Sequence, residues 1–284
     1  MEPLAIILKC NVKSEKSIIM LAFNKLAISD PRFEMDNIRY LTVKSSNLKG
    51  RGDLSVFVPP GSDYQHLPIV LLLHGVYGSH WAWTHLAGVH RQMLNGIESG
   101  LIKPMVLVMP SDGLWGDGSG YIPHKQQNFE KWIVEDVLDA VTYSIKETSK
   151  TSPIFIAGLS MGGYGALRLG AKYGTKFKAV SALSSLTDAK QMQALLEEDI
   201  TGLLEINADE QSVLDVILRN RNILPDIRFD CGAEDPLITE NRKLAGELLK
   251  NDIPHVYEEF DGVHDWDYWT ENIFRTLLFF SNRV

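Results

Sequence analysis

The stretch that decides the fold is Ile154-Phe-Ile-Ala-Gly158-Leu-Ser160-Met-Gly162-Gly-Tyr-Gly-Ala166. An apolar run typical of a buried strand leads directly into Gly-x-Ser-x-Gly and then into a helix-compatible segment. In so tight a turn the serine takes strained backbone angles, and Gly158 and Gly162 remove Cβ atoms that would clash. The pattern predicts that the Ser160 Oγ stands exposed above a sheet as a nucleophile. The alternative is a glycine-rich turn with an incidental serine.

Short apolar runs alternate with longer amphipathic segments along most of the chain. This rhythm predicts an α/β fold with a mostly parallel sheet of about eight strands, helices on both faces and a small cap. The predicted strands are Ile38–Val43, Leu54–Val58, Ile69–Leu73, Met105–Met109, Ile154–Ala157, Ala179–Leu183, Ile227–Phe229 and His255–Phe260. The first two should form an antiparallel hairpin at the sheet edge. The predicted helices are Ala87–Ile97, Phe129–Glu147, Met161–Tyr173, Glu240–Leu249 and Tyr268–Ser281.

Length and composition fit one globular domain: 284 residues, 45% of them hydrophobic and 23% charged. We expect this domain over residues 37–284, with a short cap near 184–225, after an N-terminal extension (1–36) to which the sequence assigns no role. Cys10 and Cys231 are expected to be small core residues.

The partners expected from charge and hydropathy are few. A net charge of −8 without a basic run argues against nucleic acid as a partner. No stretch is long enough to span a membrane, and the N-terminus lacks a signal-type apolar region, so we expect a cytoplasmic location. The sequence leaves a homo-oligomer open.

A serine hydroxyl needs an adjacent base near neutral pH, and histidine suits that task. In this type of fold the acid and then the histidine follow the serine along the chain, which leaves His255 and His264 as candidates. His255 starts a predicted strand. His264 follows the C-terminal end of that strand, where α/β sheets keep their chemistry, and is the predicted general base.

The acid is expected in the loop after the strand Ile227–Phe229, because a carboxylate there can orient the histidine. That loop reads Asp230-Cys-Gly-Ala-Glu234-Asp235-Pro. Asp235 is the predicted acid. Glu234 and Asp230 are the alternatives, and Asp188 is a more remote one.

Two backbone N–H groups are predicted to form an oxyanion hole. One belongs to Met161, which directly follows the nucleophile, and the other to Val76 in the loop His74-Gly-Val-Tyr-Gly78, with Tyr77 as the alternative.

Aromatic residues near these loops are candidate substrate contacts, although each could instead pack in the fold. They are Tyr77, Trp81 and Trp115. The glycine-rich segment from Asp112 to Gly120 is interpreted as a flexible surface loop near the site. No cofactor or metal site is predicted.

Four blocks, in this order, carry a family resemblance: Leu71–Gly75, Gly158–Ala166, Gly232–Asp235 and Gly262-Val-His-Asp-Trp-Asp-Tyr-Trp269. They resemble the esterase D, tributyrin esterase and feruloyl esterase group of the α/β-hydrolase superfamily, over roughly residues 38–284. The resemblance implies the α/β-hydrolase fold and hydrolysis of carboxylic or thiol esters without a metal or organic cofactor.

The function predicted from these residues is that of a serine carboxylesterase hydrolysing short-chain acyl esters through an acyl-serine intermediate. The short and acidic cap could roof a pocket without exposing the apolar patch that a lipid-surface enzyme needs. Alternatives are a feruloyl, cinnamoyl or acetyl-carbohydrate esterase, a thioesterase such as S-formylglutathione hydrolase, and an acyltransferase. A non-catalytic binding protein that retains the fold is the alternative of another class.

Overall fold

A computed structural model of the protein describes residues 23–61, 63–198 and 210–284. In these ranges nine strands form one sheet: β1 (Phe23–Ile28), β2 (Ile38–Ser45), β3 (Gly50–Phe57), β4 (Ile69–Leu73), β5 (Val106–Pro110), β6 (Ile154–Leu159), β7 (Ala179–Leu183), β8 (Asp226–Gly232) and β9 (Val256–Phe260). Their spatial order is β1-β2-β3-β5-β4-β6-β7-β8-β9. All neighbouring pairs from β5 to β9 are parallel, whereas β1, β2, β3 and β5 pair antiparallel. The predicted mostly parallel sheet is confirmed.

The N-terminal edge of the sheet differs from the prediction. β1 pairs antiparallel with β2, so the sheet has nine strands instead of about eight, and the predicted hairpin of β2 and β3 does not form its edge. Phe23 and Leu26 are buried, while Asn24 and Lys25 face solvent. The sheet therefore begins well before Ile38. Residues 1–22 of the predicted extension lie outside the described residues.

Helices cover both faces of the sheet, as predicted. They are α1 (Ala82–His85), α2 (Val89–Glu98), α3 (Phe129–Lys131), α4 (Leu138–Ser144), α5 (Met161–Lys172), α6 (Val213–Arg219), α7 (Ile238–Lys250) and α8 (Trp266–Ser281). Alternate residues of the central strands enter different cores. Leu71 and Ile156 pack with α4, α5, α6 and α7, whereas Leu72 and Phe155 pack with α2 and α8.

The predicted helix Phe129–Glu147 is one irregular helix. A π-helical segment, Trp132–Val137, joins α3 to α4. Within it the buried Asp136 carboxylate accepts hydrogen bonds from the Ser45 hydroxyl and, at 2.7 Å, from Asn47 Nδ2, both next to the β2–β3 turn. The widened turn thus fastens the helix to the antiparallel part of the sheet.

The predicted cap region, 184–225, contains a 3₁₀ helix (Ala189–Ala194) and α6, while residues 199–209 lie outside the described part. Glu210 lies shortly before α6, and its Oε2 forms ion pairs with Arg168 at 3.1 Å and with Lys172 at 2.7 Å. Both cations belong to α5, so this end of the cap is fixed to the helix that follows the nucleophile.

Two further predictions concern single features. Cys231 is fully buried, as expected of a core residue, and Cys10 lies outside the described residues. Across the described ranges, no helix combines the length and the apolar character needed to cross a membrane.

Candidate active site

Ser160 stands between β6 and α5 in the strained conformation that the sequence predicts, with φ 53° and ψ −120°. A Cβ on Gly158 would collide with the carbonyl of Gly162, so the turn requires glycine there. One expectation was wrong: Ser160 is only 2% exposed. It is enclosed because the Gly75 loop passes beside it, where a Cβ on Gly75 would lie 3.4 Å from the Ser160 Cβ.

The structure brings the three predicted side chains together in one line. Ser160 Oγ lies 3.0 Å from His264 Nε2, and His264 Nδ1 lies 2.9 Å from Asp235 Oδ2. The Asp235 side chain is fully buried, whereas that of His264 is 20% exposed. His255 lies elsewhere, at the start of β9, where its Nδ1 is 2.8 Å from the Ile253 carbonyl oxygen.

The loops that carry the acid and the base are joined by their backbones. Beyond the ends of β8 and β9, the Ala233 N–H donates to the Phe260 carbonyl at 2.8 Å, and the Glu234 N–H donates to that of Gly262 at 3.1 Å. Gly262 has φ 134°, a conformation open mainly to glycine. These bonds keep two side chains that are 29 residues apart in sequence in register with each other.

The alternative acids are occupied or misplaced. Glu234 is exposed, and Asp188 accepts the N–H of Lys190 at 2.9 Å as an N-cap residue. Asp230 is fully buried but bound to Arg228 at 2.5 Å and to the Tyr268 hydroxyl at 2.7 Å. Only Asp235, among the four candidate acids, contacts His264.

The environment of Asp235 favours its ionised form. Burial by itself would raise the pKa of this carboxyl, but the hydrogen bond and charge of His264 and the Leu237 N–H, which donates to Oδ1 at 2.8 Å, lower the pKa below its ordinary value. A carboxylate held in this way orients the imidazole and favours its cationic form when a proton arrives.

Two backbone N–H groups are available beside Ser160. That of Met161 is the first in α5 and has no partner within the helix. That of Tyr77 donates to the Asp117 carbonyl at 2.9 Å, whereas the Val76 N–H makes no hydrogen bond with the rest of the described chain. This favours Val76 over Tyr77 as the second donor.

Hydrogen bonds of His74 hold the loop that carries Val76 in place. His74 Nε2 accepts the Asp112 N–H at 3.0 Å, so its Nδ1 carries the hydrogen and donates to the Gly75 carbonyl at 2.7 Å. The Tyr121 hydroxyl donates to the His74 carbonyl at 3.0 Å. The backbone around Val76 is therefore held before any substrate arrives.

The segment from Asp112 to Gly120 is only partly the surface loop that its composition suggests, because Trp115 at its tip is exposed but both of its ends are buried. Asp112, Asp117 and Ser119 are buried, and the Asp112 carboxylate accepts the N–H groups of Leu114 at 3.0 Å and Ser119 at 2.6 Å. Asp112 thus binds the loop's own backbone, while the Asp117 carboxylate accepts the N–H groups of Glu197 and Glu198 from the cap region.

The candidate substrate contacts are all partly or largely exposed. Tyr77 is 59%, Trp81 43% and Trp115 92% exposed. The ring of Trp81 meets that of His85 edge to face at 6.4 Å. With so little of its surface covered, Trp115 lines no enclosed pocket made by the described residues.

Sequence reasoning missed an aromatic contact to the base. The Trp269 ring stands perpendicular to that of His264, with ring centroids 5.0 Å apart. The available signal was the distance of five residues between them, which places Trp269 in the first turns of the helix after His264.

In the described ranges, no three His, Cys, Asp or Glu side chains gather closely enough to hold a metal ion.

Comparison with known proteins identifies the family of the chain. A model of the Esterase family matches residues 45–280. An acetyl esterase of Caldicellulosiruptor saccharolyticus is 28% identical over 229 residues, which cover 74% of this chain and 82% of that protein.

Solved structures show the same fold. An S-formylglutathione hydrolase from Staphylococcus aureus superposes with a TM-score of 0.74 at 21% identity, covering 86% of this chain and 98% of its own. A ferulic acid esterase gives a TM-score of 0.75 at 24% identity, covering 86% and 97%. The chain therefore belongs to the Esterase family and is an enzyme of the α/β-hydrolase fold that hydrolyses esters.

Proposed function

We propose that the protein is a serine carboxylesterase that forms an acyl-enzyme on Ser160. The observation that carries the proposal is the line of hydrogen-bonding distances from Ser160 Oγ to His264 Nε2, 3.0 Å, and from His264 Nδ1 to Asp235 Oδ2, 2.9 Å. The serine at the end of this line has a strained backbone conformation, with φ 53°, and lies beside the loop that carries Val76. Strain of this kind is retained where a reaction uses the resulting geometry.

Acylation begins with attack of Ser160 Oγ on the ester carbonyl carbon while His264 Nε2 takes the hydroxyl proton. The carbonyl oxygen becomes an oxyanion that accepts hydrogen bonds from the Val76 and Met161 N–H groups. The tetrahedral intermediate then expels the alcohol, to which Nε2 returns the proton. Asp235 holds the Nδ1–H and stabilises the transient imidazolium without taking its proton.

Deacylation repeats these steps with water. His264 Nε2 removes a proton from the water as its oxygen attacks the acyl carbon, and the same two N–H groups receive the second oxyanion. Collapse breaks the bond to Ser160 Oγ, which recovers its proton from Nε2, and the carboxylic acid leaves.

The substrates proposed are uncharged esters of short acyl groups, and the short acyl group is supported by the relative that is an acetyl esterase. Residues 191–218 contain seven Asp or Glu residues and no Lys or Arg. Two of these, Glu197 and Glu198, donate their N–H groups to Asp117 Oδ2, at 2.6 Å and 3.1 Å. Partial burial, followed by the charges of these three residues, raises the pKa of the neighbouring Tyr77 hydroxyl.

Carboxylates so close to the loop of Val76 repel anionic substrates. This favours a neutral ester over a glutathione thioester, which carries carboxylates of its own. Three like charges about 10 Å from a carboxylate in a mostly aqueous setting lower binding by about tenfold at low salt, and screening reduces this effect above about 0.5 M salt.

The test combines a variant, a probe and a set of substrates. Ser160→Ala should leave a folded protein whose turnover is lower by roughly 10⁴-fold, since only the oxyanion hole and binding remain. A fluorophosphonate probe should label Ser160 in the wild type and nothing in the variant. Substantial turnover by Ser160→Ala would refute the mechanism.

The substrate set tests the proposed preference for short and uncharged acyl groups. On nitrophenyl esters we expect the rate to be highest for acetyl to butyryl groups, with no increase when the substrate passes its solubility limit. A nitrophenyl ester with a carboxylate at the end of its acyl chain should be slower than its neutral counterpart, and added salt should narrow the gap. A maximum at long chains, or a faster S-formylglutathione reaction, would overturn the proposed specificity.

A further inference from the structure

Three tryptophans form a continuous row behind the base. The His264 ring meets that of Trp269 at 5.0 Å and 88°, Trp269 meets Trp266 at 5.2 Å and 89°, and Trp266 meets Trp83 at 5.9 Å and 86°. Trp83 Nε1 donates to the Leu73 carbonyl at 3.1 Å. The row thus extends from His264 to the end of β4, directly before the loop that carries Val76.

The row is firmly placed by its local structure. Asp265 caps α8 by accepting the Tyr268 N–H at 3.0 Å, so the helix starts immediately after His264. Trp269 lies one turn into the helix, and its backbone N–H donates to the Asp265 carbonyl at 3.2 Å. Trp269 is 6% exposed and Trp83 fully buried. Perpendicular ring contacts at these distances are attractive, so the three indoles hold one another.

His264 needs such support at one stage of the reaction in particular. In the free enzyme its ring is held at both nitrogens, by Ser160 and by Asp235. Once Ser160 is acylated, its Oγ has no hydrogen to donate, and the imidazole keeps only the bond to Asp235. Its side chain is 20% exposed, so it has room to turn toward solvent.

We infer that Trp269 is a positioning residue that keeps His264 aligned in the acyl-enzyme, so that it acts mainly on deacylation. The inference rests on the proposed acyl-Ser160 mechanism. Trp266 and Trp83 support Trp269 from behind. Because misplacement of a catalytic group by about 1 Å can cost about 100-fold in rate, loss of this contact should be visible in kinetics.

The experiment measures acylation and deacylation separately, by the burst of nitrophenol from nitrophenyl acetate and by intact mass of the acyl-enzyme. Trp269→Leu removes the ring. We expect its deacylation rate to fall about tenfold or more, acylation to fall by less than about threefold, and acyl-enzyme to accumulate with a lower KM. Trp269→Phe, which keeps an aromatic ring, should recover most of the deacylation rate.

Two further variants guard against a trivial loss of structure. Phe280→Leu truncates another buried ring of α8, which lies away from the site and stacks on Phe155 with ring centroids 4.9 Å apart. This variant should leave the ratio of the deacylation rate to the acylation rate unchanged. Trp266→Leu, at a less buried position, should shift the ratio of deacylation rate to acylation rate in the same direction as Trp269→Leu, but by less. It replaces Trp269→Leu as the test if that variant fails to fold.

The outcomes are distinct. An equal fall of both rates in Trp269→Leu, or an unchanged ratio in both Trp269→Leu and Trp266→Leu, overturns the positioning role. If Phe280→Leu shifts the ratio as much as Trp269→Leu, general loosening of α8 explains the effect and the role is again overturned. Absence of fluorophosphonate labelling on Ser160 in the wild type refutes the proposed mechanism itself, and this is seen before any variant is made.

Discussion

Gly162 lies where the nucleophile helix, α5, packs against the end of β4. A Cβ added there would be 2.5 Å from the His74 carbonyl oxygen, 2.6 Å from the Leu73 carbonyl carbon and nearer still to the Leu73 oxygen. These are backbone atoms, so no side-chain rotation relieves the contact. Gly162→Ala therefore requires roughly 1 Å of movement between α5 and the end of β4 to restore an ordinary contact.

The cost of that movement has two parts. Overpacking a rigid interior site costs about 1–3 kcal/mol, and we expect the upper half of that range here because backbone lies on both sides. The two parts that separate also carry the Met161 and Val76 N–H groups, so the oxyanion hole widens. A displacement of this size lowers kcat by about 100-fold.

Urea unfolding and steady-state kinetics on nitrophenyl acetate measure both effects. Gly246→Ala is the matched control, since a Cβ there meets nothing within 4 Å and Gly246 lies inside α7. It should raise the free energy of unfolding by about 0.5–1 kcal/mol and leave kcat unchanged. If Gly162→Ala unfolds at the wild-type urea concentration and turns over within threefold of wild type, the close approach does not constrain the oxyanion hole.

Two further predictions concern Asp235. Asp235→Asn should lower kcat by about 10⁴-fold and Glu234→Gln by less than about twofold, because only the residue bonded to His264 Nδ1 fixes its tautomer; the reverse order would make Glu234 the acid. The folded pKa of Asp235 lies below its ordinary value, so its stabilising effect is present above the unfolded pKa of about 3.9 and is lost as the pH falls through the folded pKa. Urea unfolding between about pH 2 and 6 should therefore show a smaller acid-side loss in Asp235→Asn, and equal slopes would contradict the assigned pKa direction.

Local patterns were sufficient for the central sheet and the nucleophile turn. β4, β6 and β7 are runs of apolar residues buried on both faces, and such runs are recognisable without knowing their neighbours. The glycines around Ser160 report a backbone conformation that few other residues adopt. The chain order of the partners then left only two candidate bases, one at each end of β9.

The remaining features depend on contacts between distant segments. β1 has only two buried side chains, Phe23 and Leu26, and its burial follows from pairing with β2, which no local pattern shows. The loop after β5 reads as polar and glycine-rich, yet its Asp112 carboxylate is consumed by the loop's own N–H groups. A composition typical of solvent-exposed turns was thus compatible with a loop of which only the tip, at Trp115, is exposed.

The backbone bonds from Ala233 to Phe260 and from Glu234 to Gly262 fix the spacing of acid and base at the point where β8 and β9 end. Between the two loops lie α7 and β9, and α7 returns the chain to the start of β9, at the end of the strands away from the site. Its turn at Asn251 and Asp252 is accordingly a natural point for grafting: a reporter domain inserted there would lengthen the chain without separating the residues that have to meet. We expect a fusion protein with a second domain inserted at this turn to retain esterase activity.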